Sequence, residues 1–522
     1  MTEASTRPRI RDGFHAARWL EPIVLELGTP GQRGVLPPGV EPEVADVAGD
    51  PLDELPEALR RTRAPALPEL AQPQVLRHFL RLSQETMGAA MNIDVGLGTC
   101  TMKYNPVIND VVASTPTFRS VHPRQPTTTM QGLLRLLHTL QCHLAEIAGM
   151  DAFSLQPAAG APAIFTNASI IRAHHEFRGE HDRRDEIITT VFSHPADAAA
   201  PAVTGYRVIT LYPGPNGYPE LDALKAAVSD RTAGLMMTNP EDTGIFNPHI
   251  REFTDLVHEA GGLCAIDQAN ANATLGVVRA RDLGFDLCHF NLHKTFSTPH
   301  GSEGPALGAV GVREDLERFL PTPVVVRRGD DYDLEHDRPD SIGKVKGFLG
   351  NVGVAIRAYA WIMAHGADGL REVAEIAVLN NNYLATLLRD VPGLSTPYDA
   401  PGRFRLQEVR YSWEKLYEDT GITTDQVKNR MLDYGVNNYF TSHEPWLIGQ
   451  PFTPEPSESY SQEDLDEYAE IVRRVAHEAY TDPDVVRTAP HRSSVATVDE
   501  TSLADPANLV TTWRAWKQRH PS

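Results

Sequence analysis

The chain has no run of 18 or more apolar residues and no apolar core within its first thirty residues. Neither a membrane-spanning helix nor an export signal is therefore expected, and the protein is expected to be cytoplasmic. It has only four cysteines, Cys100, Cys142, Cys264 and Cys288, scattered without a Cys-x-x-Cys spacing. That argues against a disulfide framework and against structural zinc. Positive charge is scarce too: 48 Lys and Arg against 69 Asp and Glu leave a net charge of −21. With no basic patch to relieve it, such a field repels phosphate backbones and anionic lipid, so neither nucleic acid nor membrane is an expected partner. Internal repeats and low-complexity tracts are missing as well.

What is present is bulk. With 522 residues, 41% of them hydrophobic, the chain can form two or three cores, which favours a large enzyme over a small binding module. Residues 1–80 carry proline-rich, short apolar pieces such as Leu36-Pro-Pro-Gly39 and read as an N-terminal arm with too little core to fold alone. From Met130 onward, Leu133, Leu134, Leu137, Leu140, Leu144 and Ile147 recur at the spacing of one helix face, with Gly149 near its end. Short apolar runs at residues 186–192, 206–211, 233–238, 262–267 and 285–290 then alternate with helical stretches such as residues 250–260. This alternation predicts an α/β domain over residues 81–330 whose sheet is mostly parallel, with polar residues at strand ends lining a ligand crevice. Residues 331–480 read as a linking helix, from about Lys344 to Ala364, followed by a smaller α+β domain with a weak strand at residues 405–410 and an amphipathic helix over residues 462–479. Residues 481–522 read as a tail that packs locally.

The stretch Cys288-His-Phe-Asn-Leu-His-Lys-Thr-Phe-Ser-Thr-Pro-His-Gly301 sets Lys294 between an apolar strand and a loop of small, turn-forming residues. A surface lysine is a solvated cation with a pKa near ~10.4, whereas one held at a strand end beside a carbonyl cofactor can attack it. A pyridoxal phosphate site needs such a lysine, a carboxylate that keeps the pyridine nitrogen protonated, a ring stacker, and backbone amides or hydroxyls for the phosphate. Asp267 ends an apolar run 27 residues before Lys294, so both can reach one crevice, although an aspartate there also suits a helix N-cap. The turn Gln156-Pro-Ala-Ala-Gly-Ala161 precedes a helical run, and its Ala159, Gly160 and Ala161 would let backbone N–H groups approach an anion. His194 could stack on a planar ring, but a lone histidine after a strand is more often a hydrogen-bonded core or rim residue. Metal binding is the rival, since His289, His293 and His300 cluster around Lys294 and His174-His-Glu176 sits in a helical stretch. No compact carboxylate or His-Glu-x-x-His pattern joins them, and His174 and His175 lie among charged residues, so no metal is expected.

Across residues 80–480 the sequence resembles the P-protein of the glycine cleavage system, in particular its C-terminal half, also called the β subunit or subunit 2. The resemblance runs through Leu97-Gly-Thr-Cys-Thr-Met-Lys-Tyr-Asn-Pro106, Ser154-Leu-Gln-Pro-Ala-Ala-Gly-Ala161, Ile171-Arg-Ala-His-His-Glu176, Thr238-Asn-Pro240, Asn291-Leu-His-Lys-Thr-Phe-Ser-Thr-Pro-His-Gly301, Asp337-Arg-Pro-Asp-Ser-Ile-Gly343 and Gly350-Asn351. It implies a fold-type I pyridoxal phosphate enzyme, similar to aspartate aminotransferase, with a seven-stranded, mostly parallel sheet. Lys294 would be the aldimine lysine, Asp267 the pyridinium partner and His194 the stacking histidine, with further cofactor contacts at Asn239, Ala269, His293 and Thr295. Thr99, Lys103, Tyr104, Asn270, His300, Glu303 and Asn351 are the substrate-side candidates. The implied reaction is decarboxylation of an amino acid, glycine first, through an external aldimine, with aminomethyl transfer to a lipoyl carrier protein. An α-type subunit of the same fold, or a second copy in a homodimer, would complete the assembly.

The sequence departs from the family close to the site. The usual Gly-Ala-His-Gly-Glu after the phosphate turn is Gly160-Ala-Pro-Ala-Ile164, and the usual Ala-His-Gly-Thr-Asn-Pro is Ser193-His-Pro-Ala-Asp-Ala198. Asp-Gly-Ala-Asn-Leu-Asn becomes Asp267-Gln-Ala-Asn-Ala-Asn272, and the glycine-rich loop after His300 becomes Gly301-Ser-Glu-Gly304. Pro162 and Ile164 would change what a substrate can hydrogen-bond, while Gln268 and Glu303 add bulk and charge. Two alternatives follow: a paralogue with the same cofactor frame acting on another amino acid without a lipoyl carrier, by decarboxylase, aldol-type or transaminase chemistry, and a non-catalytic partner subunit.

Overall fold

A computed structural model describes residues 10–11, 13–50, 54–63, 65, 67–86, 93, 95, 101, 103–298, 305–400, 402–494, 496–497 and 516–518. The chain divides into two units, one of residues 1–12 and 89–488 and one of residues 13–88 and 489–522.

The smaller unit is held by polar contacts between its two chain segments. The Ala16 N–H donates to the Arg492 carbonyl over 2.9 Å, and the Arg18 guanidinium donates to the carbonyls of Ser493 and Ser494. In the helix Gln72–Glu85, buried His78 meets Glu21 at 2.9 Å and Arg81 meets it at 3.1 Å. Among the described residues the only buried hydrophobic side chains of this unit are Ala16 and Ala489.

The larger unit is built on a seven-stranded sheet. Its strands are β1 (Ala152–Ser154), β2 (Glu186–Thr190), β3 (Arg207–Leu211), β4 (Thr232–Thr238), β5 (Leu263–Gln268), β6 (Leu287–Asn291) and β7 (Gly308–Val312), in the spatial order β1-β7-β6-β5-β4-β2-β3. The links from β3 through β2, β4 and β5 to β6 are parallel, and β7 runs antiparallel to β6 and to β1. This is the expected mostly parallel α/β sheet. Every residue of β4 and β5 is buried, because parallel strands are covered by helices on both faces and so need apolar side chains on both. The helix Gln131–Ala148 packs Leu133, Leu137, Leu140 and Leu144 on one face and ends at Gly149 in the left-handed region, as its apolar spacing predicts. The helices Gly160–Phe177 and Ala196–Val203 cover the opposite face with Ala163, Ile164, Ala168, Ile171 and Ala200.

A second core lies beyond the sheet, where Trp413, Tyr439 and Phe452 stack and pack against Leu384, Leu465, Tyr468 and Val472. It gathers the helices Glu414–Thr420, Thr424–Leu432 and Gln462–Thr481 around a two-stranded ladder in which Tyr411–Ser412 pairs antiparallel with Pro451–Phe452.

Three expectations are corrected here. Residues 344–351 are not helical, and the long helix runs over Val352–Leu388, interrupted at Gly366 with φ 66°. Gly350 prevents an earlier start: at φ 70° it lies so close to the Leu155 carbonyl that a Cβ would come within 2.0 Å of it. Residues 405–410 form no strand, since their backbone is already engaged. The Arg405 and Leu406 carbonyls accept from the Asn382 and Asn381 side chains, and the Leu406 N–H donates to the Gly244 carbonyl. His175, read among charged neighbours, is fully buried one turn after Ile171, and its Nε2 bonds the Ala233 carbonyl at 2.9 Å. Among the described residues no helix is long and apolar enough to cross a membrane.

Candidate active site

The carboxyl ends of β4, β5 and β6 lie in register, with Thr238 beside Asp267 and Asp267 beside His289. Beside them lies a narrow crevice of about 30 Å³, lined by His194, Thr238, Asn239, Pro240, Asp242, Asp267, Ala269, Asn270, Lys294, Gln407 and Glu408. Parallel strands leave such a cleft at their carboxyl ends, where loops diverge.

Lys294 stands in the turn after β6, its N–H bonded to the Asn291 carbonyl at 3.0 Å and its side chain largely buried. Asp267 is buried at the end of β5, where Oδ1 accepts from the Ala269 N–H at 2.7 Å. Burial works against its negative charge, but the surrounding imidazoles, the Ala269 N–H and Lys294 outweigh burial and hold its carboxyl below the usual range. His289 lies 3.2 Å from the same oxygen, yet neither of its ring nitrogens is aligned for a hydrogen bond, and burial lowers its pKa. His194 accepts from the Ala196 N–H at 3.1 Å and meets the His443 ring edge-on at 5.8 Å. Burial, with His194 and Arg410, pulls His443 down to about 4.

The crevice thus brings together Lys294, Asp267, His194, Asn239, Ala269 and Asn270 from the sequence reading. Asn239 is braced through its Oδ1, which accepts from the Asn247 N–H at 2.9 Å. Asn270 donates to Glu455 and to Thr101 Oγ1. Ala159, Gly160 and Ala161 begin the helix Gly160–Phe177, and a Cβ at Gly160 would lie 2.5 Å from the Asn291 amide nitrogen. The helix start therefore lies against the residue that ends β6, three positions before Lys294, and the Asn291 Oδ1 is buried without a hydrogen-bond partner.

Other expected residues are not among those that line the crevice. The His293 ring meets the Leu307 backbone, and the Thr295 hydroxyl accepts from the Ala271 N–H at 2.9 Å. Lys103 is buried against Glu458 at 2.7 Å, with its ammonium 4.5 Å from the Trp361 ring centre. Tyr104 is exposed and its carbonyl accepts from Ser297 Oγ. Asn351 begins the long helix and borders a separate, mostly apolar cavity of about 390 Å³ with Phe118, Met130 and Phe348. Thr99, His300 and Glu303, with Ser302, lie outside the described residues. Of the departures from the family pattern, Ile164 is buried in the core on one sheet face with Ile187 and Val310, and does not line the crevice. Gln268 is buried, with Oε1 unpartnered.

The sequence reading missed a set of buried acids. Glu408 lines the crevice with its Oε2 unpartnered, and burial, with Glu455 and Asp242 nearby, pushes its carboxyl well up. Burial also raises Asp242, against the attraction of Arg410. Arg410 is buried between Asp242, at 3.6 Å, and Glu444, at 2.8 Å. Glu455 accepts from Thr101 at 2.7 Å and Asn272 at 2.9 Å, and burial lifts it to about 7 against those bonds. The available signal was acids set among apolar and aromatic residues, as in Gln407-Glu-Val-Arg-Tyr411. One histidine, cysteine and aspartate group, His258, Cys264 and Asp286, also comes within ligand distance. Its aspartate is already taken by His258 and the Cys264 N–H, each at 2.8 Å, and by Arg313.

Residues 165–328 match the family model described as aminotransferase class-V. The chain is 44% identical over 508 residues to a Pyrococcus abyssi protein named probable glycine dehydrogenase (decarboxylating) subunit 2, covering 97% of this chain and 98% of that one. It is 42% identical over 486 residues to the protein of the same name from Halalkalibacterium halodurans, covering 92% and 96%. Among solved structures it superposes, with a TM-score of 0.70 and 18% identity, on inhibitor-bound glycine decarboxylase (P-protein) of the glycine cleavage system, covering 84% of this chain and 100% of that chain. That likeness speaks for the fold.

Proposed function

Since the chain belongs to the glycine dehydrogenase (decarboxylating) subunit 2 family, we propose that it is the pyridoxal phosphate-holding subunit of a glycine-decarboxylating enzyme. The observation that carries the reading is the convergence of Lys294, Asp267 and His194 on one crevice at the strand ends. The residues fit the group. Lys294 would hold its aldehyde, Asp267 its ring nitrogen, His194 its ring face, and the backbone N–H groups of the helix start at Ala159, Gly160 and Ala161, where Gly160 leaves no room for a Cβ, its phosphate.

When bound, pyridoxal phosphate withdraws electrons from the substrate's α-carbon and so makes loss of CO₂ feasible. The protein's share is placement and charge. Asp267, ionised at neutral pH, favours a proton on a ring nitrogen facing it. Gln407 and Glu408 line the crevice together with Lys294 and keep it narrow. Ile164, buried in the core, removes one reason for assigning a different substrate.

The subunit name of the relatives supports a partner subunit, which we take to be of the same fold; the acceptor in this reading is a lipoyl carrier protein. The scattered cysteines agree with work in the cytoplasm. The test is exchange of labelled CO₂ into glycine by the full chain with pyridoxal phosphate, a partner subunit and a lipoyl carrier. Exchange is expected, together with a visible absorbance band that Lys294→Ala abolishes. No exchange while the band persists, with turnover of another amino acid, would transfer the reading to the paralogue; no band at all would leave a non-catalytic subunit.

A further inference from the structure

A second buried carboxyl group meets the strand-end aspartate. Asp197 lies in the first turn of the helix Ala196–Val203, is 1% exposed, and is fixed by its own N–H donating to the His194 carbonyl at 2.8 Å. Its side chain is in hydrogen-bond contact with Asp267, and its Oδ2 has no other partner. Two buried carboxyl groups in contact cannot both ionise cheaply, so one of them keeps a proton.

The neighbours decide which. Asp267 has the Ala269 N–H, Lys294 and His194 to support a negative charge. Three acids bear on Asp197: Asp267 from β5, and Asp242 and Glu241 from the loop after β4. Its place in the first turn of a short helix favours an anion, but burial and three neighbouring acids oppose it more strongly.

We propose that Asp197 is a positioning residue which keeps its proton and donates it to Asp267, fixing the orientation of that carboxylate and limiting the pair to one negative charge. The proposal rests on the reading of Asp267 as the partner of the cofactor's ring nitrogen. Asp267 has two oxygens. An O–H from Asp197 and the Ala269 N–H steady the group while leaving lone pairs for the ring. The role is that of a donor, so an amide can replace it and a methyl group cannot.

The test uses the full chain and two measurements. Infrared spectra at neutral pH should show the carbonyl stretch of an un-ionised, buried carboxylic acid that is missing in Asp197→Asn; this needs no cofactor. Titration with pyridoxal phosphate, followed by visible absorbance, should give Asp197→Asn an affinity within about threefold of wild type and Asp197→Ala one weaker by about tenfold or more, the scale of one lost charge-assisted hydrogen bond. Asp197→Asn as weak as Asp197→Ala would mean that a second charge is required, and Asp197→Ala like wild type would mean that Asp197 positions nothing; either overturns the proposal. If Asp197→Ala does not fold, the infrared comparison decides, and a spectrum unchanged by Asp197→Asn refutes it. A wild type that binds no pyridoxal phosphate would sink the reading of the crevice instead, and the infrared result would still report where the proton resides.

Discussion

Glu455 ties three parts of the larger unit together through Thr101, Asn270 and Asn272, and it does so with a carboxyl lifted to about 7 by burial. Its folded-state value lies above the ~4.3 of an unfolded glutamate, so the folded protein holds the proton more tightly. Stability linked to Glu455 is therefore full below that unfolded value and is lost as pH rises through about 7. The loss is on the order of 3 kcal/mol once both states are ionised. Glu455→Gln should remove it: denaturant melts from pH 5 to pH 8 should show the wild type losing stability relative to the variant, and parallel curves would refute the assignment. Lys294 and Asp267 were legible in the sequence because strand, turn and spacing are local properties of the chain. Glu408, Glu455 and Asp197 were not, since each owes its role to a partner distant in sequence. Nothing near Glu455 signals that Asn272, 183 positions away, will donate to it.

The segment around Glu408 is held in place by a glycine. Gly244 has φ 75°, and a Cβ there would lie 1.8 Å from the Glu408 carbonyl oxygen. Gly244→Ala should push residues 405–409 away from the crevice, lower stability by about 2 kcal/mol or more, and weaken pyridoxal phosphate binding. Thermal melts and absorbance titration check both effects, and an unchanged affinity would separate this segment from the site. The same segment shows why element type was misread there. The segment reads as a weak strand, but a strand exists only where a neighbour offers a free edge, and here the asparagines of the long helix and Gly244 occupy the backbone first. The sheet itself was readable, because strands covered on both faces are buried along their length and so carry mostly apolar side chains. The start of the long helix was not, since the crowding of Gly350 by Leu155 arises only once the strands are assembled.

In the whole molecule, two hydrophobic layers sandwich the sheet, and a third cluster lies beyond it with Trp413 fully buried at its centre. Trp413→Ala should cost about 3–5 kcal/mol, read as a lower denaturation midpoint; a loss below 1 kcal/mol would mean that the cluster repacks around the gap. That third cluster carries residues 405–409 to the crevice, and the hydrogen bond from Leu406 to Gly244 joins the two by main chain alone. A link of this kind offers selection no side chain to exchange. What descendants of this protein can alter from that side is the pair of side chains it delivers, and trimming Gln407 or Glu408 is one route by which the lineage could make room for a bulkier substrate.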